Sequence, residues 1–314
     1  MKSALPIYSL SLASFLTLAV FTSYSTENGA QQATREQPAA ADNTALLLPQ
    51  VIESVKLADE YDFAGEPLPM DNFDVRERRE RELLRNAYYH SSTILKLKKM
   101  PRFFPTIEKI LTENGVPGDM KFLAVAESDL SNATSPAGAK GYWQFLKGTA
   151  LEYGLEVNGE VDERMDLEKS TRAACQMLKN LKNRFGNWTM AAAAYNMGAA
   201  GLSRDAETQR STNYYDLNLN EETGRYVFRI MAMKEILKNP NTYGYYIKPE
   251  ESYPPLNDFK LVEVNTAVEN LGDFAKEHGT TYRMIKVYNP WLVSSSLVNK
   301  SRKTYFIKIP KKKF

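Results

Sequence analysis

The chain has 314 residues, a length that suggests about two domains, and it balances 40 Lys and Arg against 38 Asp and Glu. That near-balance argues against a nucleic-acid binder, which needs a clear basic excess. One cysteine, Cys175, and two histidines, His90 and His278, exclude an intrachain disulfide and a cysteine metal cluster, and argue against zinc or a Ser-His or Cys-His nucleophile. No cofactor or metal is expected.

Residues 1–26 carry Lys2, then no charge until Glu27, with a largely apolar run from Leu5 to Phe21. This reads as a secretory signal peptide, or as an uncleaved membrane anchor, since the uncharged run is long enough to span a bilayer. No cysteine stands near its end, so a lipoprotein is not expected. Either reading sends the protein to a bacterial cell envelope, with the periplasm as the expected place and membrane association left open. Residues 27–74 read as a flexible N-terminal spacer, rich in Ala, Gln, Thr and Asn up to about residue 50. Its second half, with Pro67 and Pro69, is expected to wrap the next domain.

Helical signals dominate residues 75–245. Asp74 is a candidate N-cap for a charge-dense helix whose charged face is expected to be solvated. Phe104-Pro105 opens another helix that stops at Gly115. A turn at Val116–Asp119 leads into the apolar run that ends at Glu127, with Asp119 as candidate N-cap. Asp166 to Phe185 is amphipathic and contains Cys175, read as a small core residue. Thr189 is expected to cap a short helix ended by Gly198, and Glu221 to Lys238 forms the last helix. Residues 246–255 read as a linker. Beyond it, Phe259–Val264 alternates like a strand, Asn270–Gly279 and Thr281–Tyr288 read as helices, and Thr304–Pro310 closes as a strand.

Glu127 is the candidate catalytic residue. A carboxylate at the polar end of an apolar helix loses hydration, so its pKa should rise toward the range of a general acid at neutral pH. It stands in Ala124-Val-Ala-Glu-Ser-Asp-Leu130, followed by Ser135-Pro-Ala-Gly-Ala139, Gly141-Tyr-Trp-Gln144 and Thr149-Ala150. These pieces resemble the first signature of the lytic murein transglycosylase (SLT) family. Ala192-Ala-Ala-Tyr195-Asn-Met-Gly198 resembles its second, and Glu222-Thr-Gly-Arg-Tyr226-Val227 its third. The resemblance covers roughly residues 80 to 245. It implies a mainly α, lysozyme-like fold that cleaves the MurNAc-GlcNAc bond of peptidoglycan. Glu127 would be the single acid and base, and 1,6-anhydromuramoyl ends would form. Ser135, Gln144, Tyr195 and Tyr226 are the substrate-binding candidates that align, with a turn serine, a glutamine bonded to backbone and a packing tyrosine as the alternatives at Ser135, Gln144 and Tyr226. Asn196 is read as holding a turn, and Glu222 as a structural carboxylate.

The C-terminal residues 256–314 resemble a LysM module, a small βααβ glycan-binding domain, through Phe274-Ala275, Tyr282, Ile285, Tyr288-Asn-Pro290 and Ile307-Lys-Ile-Pro310. The family's Gly-Asp-Thr or Gly-Asp-Ser turn is replaced by Asn265-Thr-Ala-Val-Glu-Asn270, which puts sugar binding in doubt more than fold. As a tethered module it should act on binding to glycan strands, not on chemistry. Two rival readings remain: a hydrolytic muramidase of the goose-type-lysozyme kind, and a non-catalytic peptidoglycan-binding protein. Protein partners are unknown.

Overall fold

The computed structural model describes residues 53–312. The signal-or-anchor segment and the first part of the spacer lie outside the described residues. No described helix is long and apolar enough to cross a membrane.

The spacer reading of 27–74 is corrected at its far end. Strands β1 (Asp62–Phe63) and β2 (Glu66–Pro67) form a small hairpin. Phe63, Leu68 and Met70 enter the main core. Glu66 also receives the Trp188 and Thr189 amides at 2.6 and 2.9 Å, so the hairpin caps a distant helix.

Helix α1 (Phe73–Ala87) starts two residues earlier than expected, because Asn72, not Asp74, is its cap and accepts from the Asp74 amide. Its charged face is not simply solvated. Arg79 and Glu82 are buried; Arg79 stacks over the Tyr61 ring at 4.3 Å, and Glu82 pairs with Arg225 at 2.7 Å. Helix α2 (His90–Glu113) runs unbroken through Pro101 and Pro105. Each proline removes a helical bond and costs on the order of 3 kcal/mol. The apolar stripe Leu97, Phe104, Ile107, Ile110 and Leu111 is buried, at about 1.5–3 kcal/mol per side chain, and outweighs them.

After a 3-10 turn at Gly118–Met120 comes α3 (Lys121–Ser128), whose apolar residues Phe122 to Val125 are fully buried. Asp119 does not cap it. Its carboxylate instead binds the Ala64 amide and Lys234, both from distant elements. Helix α4 (Lys147–Glu152) is short. Helix α5 (Leu167–Phe185) starts at Asp166, which accepts from the Lys169 amide, and ends at Gly186 with φ +90°. It buries Cys175 in the core, where burial raises the thiol to about 11. Helix α6 (Trp188–Met197) is capped by Asn187, not Thr189. Helix α7 (Ala199–Gln209) follows, and α8 (Glu221–Lys238) is capped by Asn220. Helix α8 packs against α1, α3 and α6.

Strand β3 (Phe259–Val264), α9 (Leu271–Glu277), α10 (Tyr282–Tyr288) and β4 (Tyr305–Pro310) complete the fold, with β3 and β4 antiparallel in the register Phe259 with Pro310. They enclose a second core of Leu271, Ala275, Ile285, Leu292, Leu297, Ile307 and Ile309. The connector before it is not a free linker. The Tyr253 amide donates to the Lys98 carbonyl at 2.8 Å, and Arg102 donates to the Pro254 carbonyl at 2.9 Å. Val161, from the α4–α5 connection, belongs to this second core. The C-terminal part is therefore docked on the helical part, against the tethered expectation.

Candidate active site

Glu127 sits in the last turn of α3, one residue before its end. The helix stops because Asp129 takes the left-handed conformation at φ +50°, and Leu130 repeats it at +53°. Such angles cost a non-glycine residue about 1–2 kcal/mol. Neighbours hold them in place: Lys96 and Ser92 bind the Asp129 carboxylate at 3.0 and 3.1 Å, Lys99 binds its carbonyl at 2.8 Å, and Leu130 is buried.

Tyr226, fully buried on α8, donates its hydroxyl to Glu127 Oε1. Burial pushes the Glu127 carboxyl up to about 6, against the opposing pull of the Tyr226 hydrogen bond and the Arg229 charge; Glu222 adds a like-charge push upward. Burial and the neighbouring carboxylate hold the Tyr226 phenol far above its ordinary value, so it remains a donor. Arg229 also lies over the Tyr226 ring at 5.4 Å. Sequence reasoning missed Arg229. Its spacing of three from Tyr226 on one helix face was the available signal.

Tyr195, half-buried on α6, donates to the Trp143 carbonyl at 2.7 Å. The Glu127 charge is among the causes that raise its phenol, after burial. Ser128 Oγ donates to the Tyr142 carbonyl at 2.9 Å. These two bonds fasten the 133–145 loop to the helices around Glu127. Ser135 and Gln144 lie within that loop and use their polar atoms there. Ser135 Oγ accepts from the Ala139 amide at 3.1 Å. Gln144, at φ +50°, donates its side-chain amide to the Ala133 and Gly141 carbonyls at 3.1 and 2.8 Å. The structure thus joins Glu127 to Tyr226 directly, and brings the loop of Ser135 and Gln144 beside it through backbone carbonyls.

Two other carboxylates are already engaged. Asp129 is bound as above, and Glu222 accepts from Asn196 at 3.2 Å while Thr223 donates to Asn196 at 2.8 Å. Asn196 therefore ties α6 to the start of α8. A cavity of about 610 Å³ in the C-terminal part is lined by Asn265, Thr266, Ala267, Asn299, Lys300 and Arg302. It lies apart from Glu127, whose assignment rests on chemistry and not on cavity size. Among the described residues no cluster of three or more His, Cys, Asp or Glu is arranged to hold a metal.

The chain is 29% identical over 263 residues to membrane-bound lytic murein transglycosylase D of Escherichia coli (strain K12), covering 81% of this chain and 56% of that protein. The chain spans about half the length of the curated relatives it matches. Two solved structures are also similar. One is an inactive mutant of the lytic transglycosylase Slt from Pseudomonas aeruginosa, at 20% identity and TM-score 0.37, covering 48% of this chain and 26% of that one. The other is the 70 kDa soluble lytic transglycosylase of Escherichia coli, at 16% identity and TM-score 0.39, covering 59% and 37%. Residues 105–218 match the model of the transglycosylase SLT domain, and residues 260–313 match that of the soluble lytic transglycosylase C-terminal LysM-like domain.

Proposed function

We propose that the protein is a peptidoglycan lytic transglycosylase of the cell envelope, with Glu127 as its acid and base. The observation that carries this reading is a lone carboxyl raised to about 6 and gripped by Tyr226, with Asp129 and Glu222 engaged elsewhere. Most glycosidases pair two carboxylates, one protonating the leaving oxygen and one attacking or activating water. Here the acid has no free partner beside it. Protonated Glu127 gives its proton to the oxygen between MurNAc and GlcNAc, and the C1–O bond breaks. The same carboxylate then takes the proton from the substrate's C6 hydroxyl as that oxygen closes onto C1. The carboxyl regains its proton, no water is consumed, and the anhydro ring forms. The nucleophile is intramolecular, so proximity replaces a bimolecular attack.

Tyr226 orients the carboxyl and Tyr195 backs it. Ser135 retains a hydroxyl proton for the sugar's acyl group, and Gln144 a carbonyl oxygen for the cleft. The C-terminal part is a glycan-binding module, with its cavity over Asn265–Ala267 as the groove. The N-terminal segment exports the protein, and the periplasm is its place. Digestion of purified peptidoglycan in labelled water tests the reaction. Anhydro-ended products without the label are expected. Reducing ends that carry it would establish the hydrolytic alternative, and no soluble product at all would leave a binding protein.

A further inference from the structure

The segment from Glu156 to Lys169 faces two ways. On one side it is built into the C-terminal module. Val161 is fully buried in the module's core and bridges to Leu292. The Asp162 amide donates to the Trp291 carbonyl at 2.8 Å, and the Val293 amide donates to the Glu160 carbonyl at 2.9 Å. Around this short ladder Lys303 meets Glu156 at 2.5 Å, the Tyr305 hydroxyl meets Glu156 at 2.9 Å, and Lys308 meets Glu168 at 2.7 Å.

On its other side the same segment holds the loop beside Glu127. Arg164 is buried and grips Asp162 with both edges of its fork, at 2.8 and 2.7 Å. Its remaining nitrogen donates to the Gly138 and Phe145 carbonyls, each at 3.1 Å. Asn132 donates to the Met165 carbonyl at 3.2 Å. Gly141 rests so close that a Cβ there would stand 1.8 Å from the Arg164 carbonyl oxygen. Asp162 is the pivot: its amide belongs to the module, its carboxylate to Arg164, and Arg164 to the loop.

We infer that the docked module is a brace for the active-site loop, and that Arg164 is the positioning residue carrying its support to Gly138–Phe145. A tethered anchor would change only how often the site finds its polymer, and would leave a substrate too short to reach it untouched. A brace sets the geometry of Tyr142 and Trp143, whose carbonyls fasten the loop to α3 and α6. Small displacements of a positioned site slow turnover even when binding survives.

For its turnover readout this inference rests on the proposed reaction; for its exchange readout it does not. Arg164→Lys keeps the charge and loses the fork. On a soluble MurNAc-GlcNAc tetrasaccharide it should lower kcat by roughly 3- to 10-fold with KM within about twofold, the signature of lost positioning. Hydrogen exchange at amides 138–145 should quicken while that of α8 stays unchanged. A second set of variants approaches from the module. Lys303→Glu with Lys308→Glu places like charges against Glu156 and Glu168, and should speed exchange at 291–293 and at 138–145 together. Adding Glu156→Lys and Glu168→Lys should restore both in part, since Glu163 still faces position 303. Unaltered kcat and unaltered 138–145 exchange in Arg164→Lys would overturn the brace. So would charge reversal that loosens 291–293 and leaves 138–145 as it was. If the parent protein cleaves no glycan, the proposed reaction fails, and the exchange results still decide the brace.

Discussion

Glu127 and Asp162 are both acids that lose water on folding, and they end on opposite sides of the ordinary carboxylate range. Burial works to raise both. Glu127 meets a neutral phenol as its hydrogen-bond partner and is left at about 6. Asp162 meets the Arg164 guanidinium at two points and Lys140 at 3.7 Å, which outweigh burial and hold it below its usual value. A neutral partner orients an acid and leaves it able to exchange a proton; a cation fixes it as a permanent anion. The first arrangement suits chemistry and the second suits architecture, and the two stand at opposite sides of one loop.

The comparison is broken most severely at the proton itself. Glu127→Gln should lower product release from peptidoglycan by about 10²–10⁴-fold or more, since one group serves as acid and base. The same variant should be the more stable protein at neutral pH. The folded carboxyl, at about 6 against 4.5 for the free side chain, holds its proton more tightly than the unfolded chain does. Stability linked to that proton is complete below about pH 4.5 and is lost as pH rises through about 6. Glutamine escapes this loss, so above pH 6 it should gain roughly 1–2 kcal/mol in denaturant unfolding, and the gain should vanish in acid.

The architectural side is best tested at Gly141. At φ +83°, with the Arg164 carbonyl in the space a side chain needs, Gly141→Ala should cost on the order of 3 kcal/mol of stability, read as a lower denaturation midpoint. A finer test is Tyr226→Phe. Its hydroxyl lowers the Glu127 pKa, so its removal should move the alkaline fall of kcat/KM, expected near pH 6, upward by up to about one unit. A shift downward would mean that the hydroxyl favours the protonated acid. The smallest effect belongs to an ion pair with neither burial nor a fixed partner. Lys276 and Asp273 lie 4.0 Å apart and are both largely exposed, so Lys276→Ala should change stability by less than about 0.5 kcal/mol.

Local signals made much of this molecule legible. Asp166 before an amphipathic run located α5, and the alternation at Phe259–Val264 located β3. Glu127 stood out because an apolar helix ran into it. What escaped the sequence depended on distant partners. Pro105 read as a helix start because the core that overrides it comes from other helices. Glu82 looked like surface charge because its partner, Arg225, is 143 residues away. Arg164 carried no motif at all: beyond its pair with Asp162, its bonds to the loop run to carbonyl oxygens, which every residue type possesses. Ser135 and Gln144 aligned with a signature and also read as turn and backbone-bonding residues, and it is in those loop bonds that the structure shows their polar atoms.

The placement of Val161 in the second core also has a consequence in time. A chain is made from its N-terminus, and its early parts fold first. The helical part can close once α8 has emerged, yet the strip at Glu160–Asp162 still lacks Trp291, Leu292 and Val293. Until those residues are synthesised, an apolar valine and unpaired backbone groups stand open to any passing strand, the condition that invites edge-to-edge aggregation. A chain that stops before residue 290 keeps that edge for its whole life.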